Sequence, residues 1–165
     1  MPQTLMAFLG MTMIMLFSLT YQRFAVNTVK QIFNDEFETI AAGVAQEALE
    51  IVAAKPFDES VRNGTVTPQN LNVSLLTPSP FPTGQCMALA ACQDVDDVHG
   101  LAVNRNFQIN GKTFVLRASF KVEYVDPANP EQVSSSPTFT KKVTVTVTHD
   151  RLIQPVVLSR LISYP

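Results

Sequence analysis

No charged side chain occurs before Arg23: all 12 basic and all 14 acidic residues of the 165-residue chain lie from that position onward. Charge is sparse overall, at 16 % of residues, against a usual share of about 25 %. Glycine (6) and cysteine (2) are scarce as well, which excludes a collagen repeat and a scaffold held by many disulfides. The formal net charge of −2 and pI of 5.6 supply no general electrostatic ground for binding nucleic acid or an anionic membrane face. No nucleic-acid partner is therefore expected. A hydrophobic share of 46 % excludes a disordered chain.

What is present begins with an apolar run. Leu5 to Leu19 reads LMAFLGMTMIMLFSL, followed by Thr20, Tyr21 and Gln22 before the first charge. As a helix, Thr4 to Tyr21 covers ~27 Å, about the thickness of a bilayer's hydrocarbon core. A membrane-inserting helix is the expectation, with Tyr21 and Arg23 at the interface. No basic residue precedes the run and no small-x-small site follows it, so a cleavable secretory signal is not expected. The missing basic leader fits a numbering that starts at a mature N-terminus.

Beyond Arg23 the pattern becomes one-sided. Val29, Phe33, Phe37, Ile40, Val44, Ala48 and Val52 recur at spacings of three and four, which is one face of a helix. Pro56 closes the run because proline cannot continue a helix interior. One helix from about Gln3 to Lys55 is predicted, ~80 Å long. Its stretch 1–25 is apolar all round, and Leu5, Phe8, Leu9, Met13, Leu16 and Phe17 there have no partner in the chain. Its stretch 26–55 is amphipathic, and Phe33, Phe37, Ile40, Val44 and Val52 are expected to pack on a sheet.

The segment 56–100 is rich in Pro, Ser, Thr and Asn and reads as a connection. Cys86 and Cys92 fall within it. They form a disulfide if the domain is exported, or remain two free thiols in a reducing compartment. Such a bridge would brace a surface loop rather than the core. Asp94, Asp96, Asp97 and His99 offer oxygen and nitrogen ligands, but no later glutamate completes a calcium loop of the EF-hand kind. A solvated acidic loop is the plainer expectation. Nothing in the chain resembles a nucleophile elbow or a phosphate loop, so neither catalysis, a metal nor a cofactor is expected.

The segment 101–165 changes to a period of two. Phe114, Leu116, Ala118, Phe120, Val122 and Tyr124 alternate with polar residues, as do Val143, Val145 and Val147. Asn110-Gly111 predicts a tight hairpin turn, and VVLSRLIS supplies a last strand. The fold class is α+β: a long N-terminal helix whose second half packs on an antiparallel sheet of about four strands.

This plan resembles the type IV pilin superfamily, which includes pilins, minor pilins and type II secretion pseudopilins. IAAGVAQEALEIVAAKPFDES (residues 40–60) is similar to the stretch where the pilin helix ends in a Pro-Phe-Asp corner. KKVTVTVTHD followed by PVVLSRLIS looks like the family's closing strand pair. The resemblance implies a structural subunit of an extracellular type IV pilus-like filament, built through the hydrophobic helix. Its implied partners are copies of itself, inner-membrane lipid before assembly, and the pilus assembly machinery. The alternatives are a type II secretion pseudopilin and a monomeric, membrane-anchored extracytoplasmic binding domain. One position departs from the family: Leu5 stands where most members carry a glutamate.

Overall fold

The structure is a computed structural model that describes residues 2–109 and 111–164, with side chains in the first helix described from Met6 on. Helix α1 (Pro2–Ala53) is continuous, as the proline-free sequence predicts. It closes with Lys55 N–H donating to the carbonyl of Val52, immediately before Pro56. The Asp58 carboxylate then accepts from Ser60 N–H and caps the short helix α2 (Glu59–Arg62), satisfying a donor that the first turn leaves unpaired. Three-residue 3-10 turns follow at Val73–Leu75 and Asp96–Val98.

Five strands form an antiparallel sheet: β1 (Ala102–Ile109), β2 (Lys112–Asp126), β3 (Asn129–Val133), β4 (Thr140–Thr148) and β5 (Val156–Ser163). The order is β1-β2-β4-β5, with β3 pairing the far end of β2. Four strands follow the sequence expectation. The short β3 is an addition, where Val125 pairs with Val133. The β1–β2 turn follows the hairpin rule: Ile109 pairs with Lys112, and Gly111 has φ 75°, a conformation that side chains with a Cβ rarely adopt. Asn110, the other half of that motif, lies outside the described residues.

The predicted alternation sets the buried face. Leu116, Ala118, Phe120, Val122 and Tyr124 on β2 are all buried, as are Val143, Val145 and Val147 on β4. Cross-strand pairs align them, Phe120 with Val145 and Val122 with Val143, the unit by which an antiparallel pair is stabilised.

The chain divides into two compact units, one ending at Phe37 and one from Glu38 onward. In the second unit, α1 covers the sheet with Ala41, Ala45, Ala48, Leu49 and Val52, all within the core cluster, flanked by Ile40 and Val44. Ala41 and Ala45 are wholly inaccessible. Val52 lies inside this cluster with Ile40 and Val44 against it, and Phe37 is buried. Phe33, expected on the same face, is 45 % exposed.

Candidate functional site

Two features stand out, and the first is the apolar surface of α1. From Met6 to Phe33 every large apolar side chain is between 45 % and 77 % exposed. Phe8, Leu9, Met13, Leu16 and Phe17 all belong to this set, whereas the Leu5 side chain lies outside the described residues. The polar groups on this stretch are partly self-satisfied. The hydroxyls of Thr12, Thr20 and Thr28 donate to the carbonyls of Leu9, Leu16 and Phe24 at 2.8–2.9 Å, a back-bond typical of helical threonine. Those three hydroxyls thus present no unmet donor to an apolar neighbour.

Among the described residues, no helix is long and apolar enough to cross a membrane; the predicted span Thr4–Tyr21 begins on side chains outside those residues.

The second feature is an ionic cluster inside the core. Lys141 is inaccessible to solvent, because β4 continues its inward phase from Val147, Val145 and Val143 back to position 141. Its ammonium has three protons and meets three acceptors: the Phe57 carbonyl at 2.7 Å, Asp58 Oδ2 at 3.2 Å and Asp96 Oδ1 at 2.5 Å. The rings of Phe57, Phe81 and Tyr124 surround it, with centroids 4.2, 5.2 and 5.2 Å from Nζ. Asp58 is equally buried, and its Oδ2 also accepts from Thr77 N–H at 3.0 Å. The Tyr124 hydroxyl donates to the Thr77 carbonyl at 2.9 Å.

The two carboxyls that flank Lys141 respond differently. Burial raises the pKa of Asp58, yet Lys141 and the N–H groups of Ser60 and Thr77 outweigh it, holding the group below the usual range. For Asp96 burial wins over Lys141, and its pKa is pushed up to about 6. Burial also raises Asp94 and lifts the Tyr124 phenol. One buried cation thus faces more than one buried carboxyl. Burial thus brings Asp96 closer to its neutral acid form than Asp58.

The acidic loop is therefore not a solvated one. Asp94 and Asp96 are only 5 % and 4 % exposed. Asp94 Oδ1 accepts from Asp97 N–H, and Asp97 Oδ2 from Gln93 N–H, which folds the loop on itself. Lys55 donates to the Cys92 carbonyl and Val95 N–H to the Pro56 carbonyl, tying it to the corner after α1. Among the described residues no group of three or more His, Cys, Asp or Glu could hold a metal ion.

Cys86 and Cys92 are bonded, with Cα atoms 5.2 Å apart. Their expected role is corrected: Cys92 is 3 % exposed and lies in the core cluster with Leu89, Val95 and Val98. The bridge anchors the acidic loop to the core rather than stiffening a free surface loop. Both histidine rings meet backbone groups. Nδ1 of His99 accepts from Val122 N–H, and Nδ1 of His149 accepts from Arg151 N–H.

The Lys141 cluster was missed at the level of sequence. Its signal was the phase of β4, which points Lys141 inward with three valines. No protein-family model, curated protein or solved structure matches the chain.

Proposed function

We propose that this chain is a structural subunit of an extracellular, type IV pilus-like filament, polymerising through the first part of α1. The observation that carries the reading is the uninterrupted exposure of Met6 to Phe33 on a single helix. Burying an exposed Leu, Phe or Met side chain is worth roughly 1.5–3 kcal/mol, so a surface of this length favours association strongly. Copies of the same helix are the natural cover. Met11, Met13 and Met15 are unbranched and adapt to irregular gaps between helices, and the self-bonded threonines need no polar partner across the contact. The resemblance in residues 40–60 and in the closing strand pair supports the same reading.

The unit from Glu38 onward has its own core and would form the outer body of each subunit. Leu5 removes the carboxylate that most pilins place near the start of the helix. In a dry bundle that carboxylate would need a cationic partner; a leucine needs only apolar contact.

The reading is tested by shearing surface filaments from the producing cells, dissociating them and identifying the subunit by mass spectrometry. This chain as the repeating subunit supports the proposal. Filaments without it, with the chain recovered only as a monomer, overturn it.

A further inference from the structure

We propose that Lys141 and Asp96 become joined by an intramolecular amide, Nζ bonding to Cγ with loss of one water, and that Asp58 handles the protons. The geometry supplies the three groups such a condensation needs: an amine, a carboxyl to receive it, and a second carboxyl within reach of the same nitrogen. Lys141 Nζ lies 2.5 Å from an oxygen of Asp96 and 3.2 Å from Asp58 Oδ2. Holding reactants in this way corresponds to effective molarities of order 10⁵–10⁸ M in well-oriented cases. The three aromatic rings keep bulk water from the site, which disfavours the reverse hydrolysis.

The proton and electron bookkeeping closes without any added reagent. The ammonium passes one proton to the Asp58 carboxylate, leaving a lone pair on Nζ. That pair attacks Cγ of Asp96 in its neutral acid form, and a C–N bond forms. The C–OH bond then breaks, and the hydroxyl leaves as water with the proton Asp58 had taken. The second proton on nitrogen passes to Asp58, which releases it to solvent. Nothing is oxidised or reduced.

Two features favour these roles over the reverse. Asp58 is held as a carboxylate by Ser60 and Thr77 N–H, so it is the better base and the poorer electrophile. Among the described residues no such pair of backbone donors meets Asp96, which takes a side-chain hydrogen bond from Thr77, and its raised pKa brings the neutral acid within reach. An ammonium and a carboxyl become a neutral amide. The remaining Asp58 carboxylate keeps two backbone donors and gains the new amide N–H.

Intact mass spectrometry of the full chain, extracted in detergent, then reduced and denatured, tests this directly. The expected mass is one water below the value calculated from the sequence. A proteolytic digest should contain a branched peptide joining the Asp96 loop to β4. A chain at full sequence mass, with those two peptides separate, overturns the proposal. Lys141→Arg cannot form this amide whether or not it folds, so it should show the full calculated mass. Persistence of the water loss in that variant would assign the loss to another site and also overturn the proposal.

Discussion

Lys141 and Asp58, 83 residues apart in the chain, bring Nζ and Oδ2 to 3.2 Å with both side chains closed to solvent. The contact joins the corner after α1 to the core face of β4. The same ammonium reaches the acidic loop through Asp96, and the Cys86–Cys92 bridge anchors that loop in the apolar cluster. Three distant segments thus meet at one cation. Around it the fold is ordinary helix-on-sheet packing; at this point it depends on charge.

Lys141→Met tests that dependence. Relative to the chain with Lys141 as a free ammonium, the variant leaves Asp58 and Asp96 buried without their cation, the situation in which breaking a buried pair costs about 3–5 kcal/mol. Chemical denaturation followed by circular dichroism should show a loss in that range. A loss below about 1 kcal/mol would mean that the cluster is better solvated than its burial implies.

The helix–sheet contact predicts a different kind of failure. Ala45 is inaccessible, and Ala45→Leu adds volume inside the core cluster. Overpacking of this kind costs about 1–3 kcal/mol. Leucine at exposed Gln46 should change stability by no more than about 0.5 kcal/mol, and equal effects at the two positions would contradict the packing described.

Replacing both Cys86 and Cys92 by serine removes a short loop closure, worth about 2 kcal/mol by chain entropy. It also places a hydroxyl at the buried position 92, adding roughly 1–3 kcal/mol unless that group finds a partner. The melting midpoint should fall accordingly. An unchanged midpoint would show that the loop is held by Lys55, Val95 and Asp96 alone.

Amide formation at Lys141 should depend on pH in a defined direction. Asp96 has its pKa raised to about 6, so its neutral acid, the electrophile, predominates below that value and is lost above it. Asp58 is lowered and stays a carboxylate through the same window. Chains refolded from denaturant should therefore lose water faster at about pH 5 than at about pH 8, by mass spectrometry over time. A rate that rises through pH 6 would reverse the roles assigned to the two carboxyls.

The regular parts of this molecule were legible because their signals are local. The proline-free run up to Pro56 marks the end of α1, and the alternation of Val143, Val145 and Val147 marks the buried face of β4. Gly111 marks a hairpin whose register depends on two residues. What was not legible depends on long-range contact. NPEQV has no alternation and contains a proline, so β3 forms only because the end of β2 offers Val125 and Asp126 as partners. Asp94 and Asp96 resemble a solvated loop until the corner at Pro56–Asp58 and Lys141 meet them. The helix periodicity is continuous through Phe33, and no feature of the sequence tells where the sheet-facing stretch begins.

The central claim is that the exposed stretch of α1 builds a filament from copies of this chain, and removing detergent from the purified full chain tests it most directly. Leu16 is 65 % exposed, so Leu16→Asp disturbs no core, but it would place an unpaired charge in a helical bundle at a cost of several kcal/mol. Electron microscopy should show filaments from the unaltered chain and none from Leu16→Asp, with matching circular dichroism for the two in detergent. Equal filaments from both, or none from the unaltered chain, would contradict assembly through this helix.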